Sequence, residues 1–119
     1  MIPVMQTVFG DNGNCMQACV ASLLELPLED VPQFLIHGQF LALERYLKQF
    51  DIRPVGYPVG TCRAHNVYYI GTGMSSRGRR HAVICKDLLM VHDPHPDGTG
   101  IDDPDIDYFF FRMFHGVQP

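Results

Sequence analysis

Positive charge is the first thing this chain is short of. Nine Lys and Arg stand against thirteen Asp and Glu, a net charge of −4. Nucleic-acid backbones and anionic membranes both demand a basic face, so neither is expected as the main partner. The densest basic group, Arg77, Arg79 and Arg80, reads as a solvated turn. Long apolar runs are also missing. Spanning a bilayer takes about 20 apolar residues, whereas the best stretch, Ala18 to Leu28, is broken by Ser22, Glu25 and Pro27. The N-terminus, Met1-Ile2-Pro3-Val4-Met5-Gln6, has no basic region followed by an apolar core, so no secretory signal is expected. A reducing, cytoplasmic setting follows as the default, and Cys15, Cys19, Cys62 and Cys85 are expected to be free thiols rather than a disulfide framework. The chain has no internal repeat and no low-complexity segment.

What is there suits one domain over residues 1–119. A 13.5 kDa chain with 46% hydrophobic and 18% charged residues can build one real core but not two. Asn14 stands where an N-cap is needed before a helix at Cys15–Glu25, after a Gly10–Gly13 loop and before Pro27. Leu28–Pro32 predicts a short turn or helical stub. Phe40, Leu43, Tyr46, Leu47 and Phe50 form a stripe at helical spacing, so a second helix is expected from about Gln39 to Phe50. Strands follow: Ile52–Tyr57, Val67–Ile70, a hairpin of His81–Cys85 with Leu88–Asp93, and a closing strand at Tyr108–Phe114. Gly71–Gly78 is expected as a flexible turn and Pro94–Pro104 as loop. Helices first and strands after predict an α+β fold.

Cys15 is the most informative residue. At the first position of a helix, the free N–H groups and the positive end of the dipole stabilise a thiolate. A thiolate nucleophile needs a proton shuttle, which His81 supplies, and the imidazole needs an orienting group, which Asp93 supplies. A three-residue hairpin loop, Lys86–Leu88, pairs 85 with 89 and 81 with 93, bringing carboxylate and imidazole to one face. A two-residue loop at Lys86-Asp87 pairs 81 with 92 instead. The first register is favoured here because it joins the two groups.

These residues carry a resemblance. Cys15-Met16-Gln17-Ala18-Cys19, following Gln6 and Asp11, with His81-Ala82-Val83-Ile84 and His92-Asp93-Pro94, resembles papain-like cysteine peptidases of the bacteriocin-processing kind, over roughly residues 6–94. The family's Gly after the nucleophile is Met16 here, and its oxyanion Gln lies closer to the Cys than Gln6 does. The resemblance implies a papain-like fold, with the nucleophile helix packed on an antiparallel sheet. It also implies a cysteine hydrolase acting on a peptide, isopeptide or related amide bond of a peptide or protein substrate, without a cofactor. The implied roles are Cys15 as nucleophile, His81 as proton carrier, Asp93 as its orienter and Gln6 as oxyanion donor. A bulged Gly10–Asn14 loop is needed for Gln6 to reach. Gln17, the rival donor, is expected at the surface.

Other readings stand beside this one. Acyl transfer would use the same triad, and a catalytically silent module would use only the cleft. Cys19 is expected as a small core residue, and Cys62 and Cys85 in packing roles. His92, His95 and Asp97 offer metal-ligand chemistry, but the rigid Pro94 and Pro96 loop favours a cleft wall and no metal. His37, His65 and His115 read as surface or core residues. Asp102, Asp103, Asp105 and Asp107 read as a solvated loop whose spacing does not match an EF-hand. The Tyr108–Phe111 run is expected in the core, with self-association as its alternative.

Overall fold

The computed structural model describes residues 1–35 and 40–113. It is α+β: two helices and a short 3-10 turn precede a five-stranded antiparallel sheet. The elements are α1 (Cys15–Leu24), the 3-10 turn Leu28–Asp30, α2 (Phe40–Lys48), β1 (Ile52–Pro58), β2 (Tyr68–Met74), β3 (Arg80–Lys86), β4 (Leu89–His92) and β5 (Asp103–Arg112). The strand order is β1-β5-β2-β3-β4, so the last strand inserts between the first two. Among the described residues no helix is long and apolar enough to cross a membrane.

The helix α1 is buried on almost every side because its residues are small. Ala18, Cys19, Val20, Ala21 and Ser22 are all fully covered, and short side chains let it approach Ala82, Ile84 and Ile70 of the sheet closely. Its C-terminus closes at Glu25, in the left-handed region at φ 59°, and the Leu26 N–H also bonds the Ala21 carbonyl, before Pro27 forbids another turn. The amphipathic α2 buries Leu43 and Leu47 against the same core. Tyr57, Tyr69, Phe109 and Phe111 form an aromatic layer on the sheet, with Tyr69 stacked on Phe109 at 4.4 Å between ring centroids.

Several elements depart from expectation for identifiable reasons. The supposed Gly71–Gly78 turn is mostly strand: β2 runs on to Met74, and only Ser75–Arg79 turns, closed by the Ser75 N–H on the Arg79 carbonyl at 2.9 Å. Gly71 and Gly73 serve close packing there. A Cβ on Gly71 would lie 3.1 Å from the Cys85 sulfur, and one on Gly73 would lie 2.3 Å from the Asp103 carbonyl oxygen. The closing strand begins at Asp103, not Tyr108, so the acidic run is paired backbone rather than solvated loop. Pro104 is accommodated where the β2–β5 register shifts between Thr72 and Gly73, so its missing N–H costs no ladder bond. β5 lies between β1 and β2, pairing with β1 over residues 106–112 and with β2 from Asp103 to Tyr108. Of its Tyr108–Phe111 run, Phe111 is exposed.

The β3–β4 hairpin follows neither register expected of it. Lys86 pairs with Leu89 across a two-residue loop, Asp87-Leu88, with φ of 51° and 69°. Two left-handed residues match the twist of the flanking strands, a conformation that composition gives no reason to expect of a leucine. The register then shifts so that Cys85 pairs with Met90 and Ile84 with His92, leaving Val91 as the extra residue of a bulge. His37, His115, Phe114 and Gln39 lie outside the described residues.

Gly73 gives this architecture a sharp test. Because an added methyl meets backbone rather than a flexible side chain, Gly73→Ala should cost about 3 kcal/mol of unfolding free energy. Urea denaturation measures it, and a loss below about 0.5 kcal/mol would mean that β2 and β5 do not approach as described.

Candidate functional site

The site is built from three pieces of chain: the N-terminal strap, the start of α1 and the open end of the sheet. The strap, residues 1–9, is laid down by polar groups on α1. The Val4 N–H donates to Ser22 Oγ at 2.9 Å, and the Thr7 and Val8 N–H groups both donate to Asn14 Oδ1 at 2.9 Å. Asn14 Nδ2 completes the set by donating to Thr7 Oγ1 and Gln17 Oε1. Asn14 therefore spends its side chain on the strap, and α1 has no side-chain cap. That corrects the N-cap expectation and leaves the helix's leading N–H groups uncapped beside Cys15. Gln17 is not a surface residue: its amide donates to the carbonyls of Leu28 and Val31, clamping the 3-10 turn to α1.

Gln6 is carried on the strap. Its backbone N–H donates to the Pro94 carbonyl at 3.0 Å, the Gly10–Gly13 turn closes at 3.0 Å, and the Asn14 N–H returns to Val8. The loop between Gln6 and Cys15 is thus looped out, and both side chains line one cleft of about 590 Å3. Gln6 is 7% exposed. Its Nε2 donates to the Val8 carbonyl at 3.0 Å, and its Oε1 has no partner among the described residues. One Nε2 proton remains free. Phe9, Leu35 and Met74 supply apolar wall, and Phe9 packs edge-on against His95 at 5.2 Å.

His81 and Asp93 meet, but not as cross-strand partners. His81 is the second residue of β3, opposite Gly73, and Asp93 follows the last residue of β4, where the chain leaves the sheet. His81 Nε2 and Asp93 Oδ1 are 2.7 Å apart, with both side chains 3% exposed. Asp93 also accepts the His95 N–H on Oδ1 at 2.9 Å and the Gly100 N–H on Oδ2 at 2.8 Å. With Nε2 held by the carboxylate, Nδ1 is the ring nitrogen left for Cys15, which lines the same cleft and is close enough to raise the imidazole's pKa.

The electrostatics follow from this geometry. Burial disfavours a charged His81, yet the hydrogen bond to Asp93 and the nearby Cys15 outweigh it and push the ring up to about 9. Burial raises Asp93, and the donors from His81, His95 and Gly100 outweigh it, so its carboxyl lies below the usual value. Cys19, one turn on, is driven well up by complete burial and then by the neighbouring Cys15. Cys85 is pushed up to about 11, chiefly by burial and then by Asp107. Neither is a nucleophile near neutral pH. All four cysteines are free thiols.

His95 belongs to this site more than the sequence suggests. It lines the cleft beside His81 at 6.1 Å between ring centroids, and its Nδ1 accepts the Asp97 N–H at 3.1 Å. His92 turns away, its Nε2 donating to the Val4 carbonyl at 2.8 Å. Among the described residues no three His, Cys, Asp or Glu side chains are grouped to hold a metal. The Pro-rich spacing around 92–97 flags a rigid loop, but nothing in it tells His95 from His92.

The sign of the His81–Asp93 coupling is testable. A raised histidine stabilises the fold fully below its ordinary 6.5 and loses that contribution as pH rises through about 9. A lowered carboxyl contributes above 3.8 and fails as pH falls. Unfolding free energies of the wild type and Asp93→Asn should therefore differ by about 3 kcal/mol near pH 6, and the gap should narrow near pH 10. A gap of equal size at both would mean that the two groups do not titrate together.

Comparison with protein-family models, with curated proteins and with solved structures finds no match for this chain.

Proposed function

We propose that the protein is a papain-like cysteine hydrolase that cleaves a peptide, isopeptide or related amide bond. One observation carries the reading: the Cys15 thiol, at the leading end of a helix, shares a cleft wall with an imidazole whose Nε2 is held by a buried carboxylate at 2.7 Å. A structural cysteine has no use for that arrangement, whereas nucleophilic catalysis needs each part of it.

The chemistry runs as acyl transfer. The thiolate of Cys15 attacks the amide carbon, and the proton rests on His81. The oxyanion is met by the Cys15 backbone N–H and the free Nε2 proton of Gln6. Collapse expels the amine, which takes its proton from His81, and leaves a thioester. His81 then removes a proton from water, and hydroxide attack releases the acid and restores the thiol. Asp93 keeps the ring oriented throughout and stabilises its charged form. No step calls on a cofactor.

p-Nitrophenyl acetate tests the reading without a known substrate. Wild type should release about one equivalent of nitrophenolate in a burst and gain an acetyl group on Cys15 by mass. Gln6→Ala should slow the acylation about 100-fold. Iodoacetamide near pH 7 should label Cys15 far faster than Cys62; labelling at equal rates would leave a silent fold with no nucleophile.

A further inference from the structure

We infer that the cleft selects amide substrates bearing a carboxylate close to the scissile carbonyl, gripped by Arg77 and Arg79; this rests on the hydrolase reading above. The sequence suggests that these arginines sit in a solvated turn. The fold brings that turn, between β2 and β3, to the cleft, where Arg77, Arg79 and Arg80 share a wall with Cys15 and His81. Three arginines line one cavity whose acidic lining residue is Asp11.

The ion pairs of these arginines show which of them have capacity left. Arg80 gives both terminal nitrogens to Asp105, at 2.7 and 2.9 Å, so its fork is spent. Arg77 uses Nη1 for Asp97 and Thr99, and Arg79 uses Nη1 for Asp11. Among the described residues the Nη2 and Nε donors of Arg77 and Arg79 have no partner. Free N–H donors of this planar kind match a carboxylate. Asp97 lies outside the cavity lining, so it steadies Arg77 without occupying the cleft.

Asp11 holds the place that a substrate would take. It lies in the Gly10–Gly13 turn across the cleft from Arg79, and its side chain is 88% exposed. An exposed pair contributes about 0–1 kcal/mol, so an incoming carboxylate displaces Asp11 at little cost. The overall charge of −4 makes this positive wall a local feature, suited to one anionic group rather than to a polyanion.

Alkylation of Cys15 reads the wall without an amide substrate. In both reagents the thiolate displaces iodide, but iodoacetate carries a carboxylate and iodoacetamide is its neutral counterpart. The ratio of their rate constants at Cys15, divided by the same ratio for N-acetylcysteine amide, isolates the effect of the cleft. In low salt it should exceed unity by about fivefold, and it should fall as salt screens the arginines. The double variant Arg77→Gln, Arg79→Gln should bring it near unity, and Asp11→Asn should raise it. A wild-type ratio at or below unity, with iodoacetamide still labelling Cys15, overturns the inference and leaves the hydrolase standing. A raised ratio that survives the double variant overturns the assignment to these arginines. If neither reagent labels Cys15 faster than Cys62, the hydrolase reading falls and the inference with it.

Discussion

A single buried carboxylate sets the order of the site. Asp93 sits almost without solvent and accepts three hydrogen bonds, from the ring of His81, the N–H of His95 and the N–H of Gly100. An ionised carboxylate in that position is tolerable only because its oxygens are satisfied. Each donor then does structural work. One fixes the imidazole, one fixes the backbone that carries His95 into the cleft, and one ties down the loop that returns to β5. Removing the carboxylate frees all three at once, so orientation of the histidine and closure of the loop are not separable properties of this fold.

The nucleophile's side of the cleft depends on polar groups inside an otherwise apolar helix. Ser22 is buried within α1, where its hydroxyl also donates to the Ala18 carbonyl, and Asn14 is buried just ahead of Cys15. Ser22 and Asn14 receive the strap, and the strap delivers Gln6. The cost of burying them is recovered through hydrogen bonds to backbone that has no sheet partner. One consequence is the uncapped leading end of α1: a capping side chain there would compete for the N–H groups that the proposed thiolate and oxyanion use.

The same economy explains the cleft's charge. A chain of net negative charge gathers three arginines at its site by holding two of them with aspartates that stay out of the cavity lining. Asp97 and Asp105 fix direction as much as they cancel charge, since a guanidinium anchored on one side presents its remaining donors on the other. The exposed Asp11 differs, because among the described residues its side chain pairs with Arg79 alone.

The sequence by itself determined the parts whose signals are local. Helical spacing and Pro27 located α1, the Leu43–Leu47 stripe located α2, and apolar runs located all five strands. It also nominated Cys15, His81 and Asp93, because helix starts, strand ends and residue chemistry are properties of short segments, whereas Gln6 was nominated only by the resemblance to papain-like peptidases. What it could not determine depended on contacts between distant segments. Glycine reads as turn until the opposing Asp103 backbone is there to require its absence of a side chain, so Gly73 was misplaced. A left-handed Leu88 carries no signal in its composition, so the hairpin register, its bulge and the route by which Asp93 reaches His81 emerged only in the fold. Asn14 has the same side chain whether it caps a helix or holds a strap, and the strap's position decides between them. The arginine turn became a cleft wall for the same reason: charge is written in the sequence, but what it faces is set by packing.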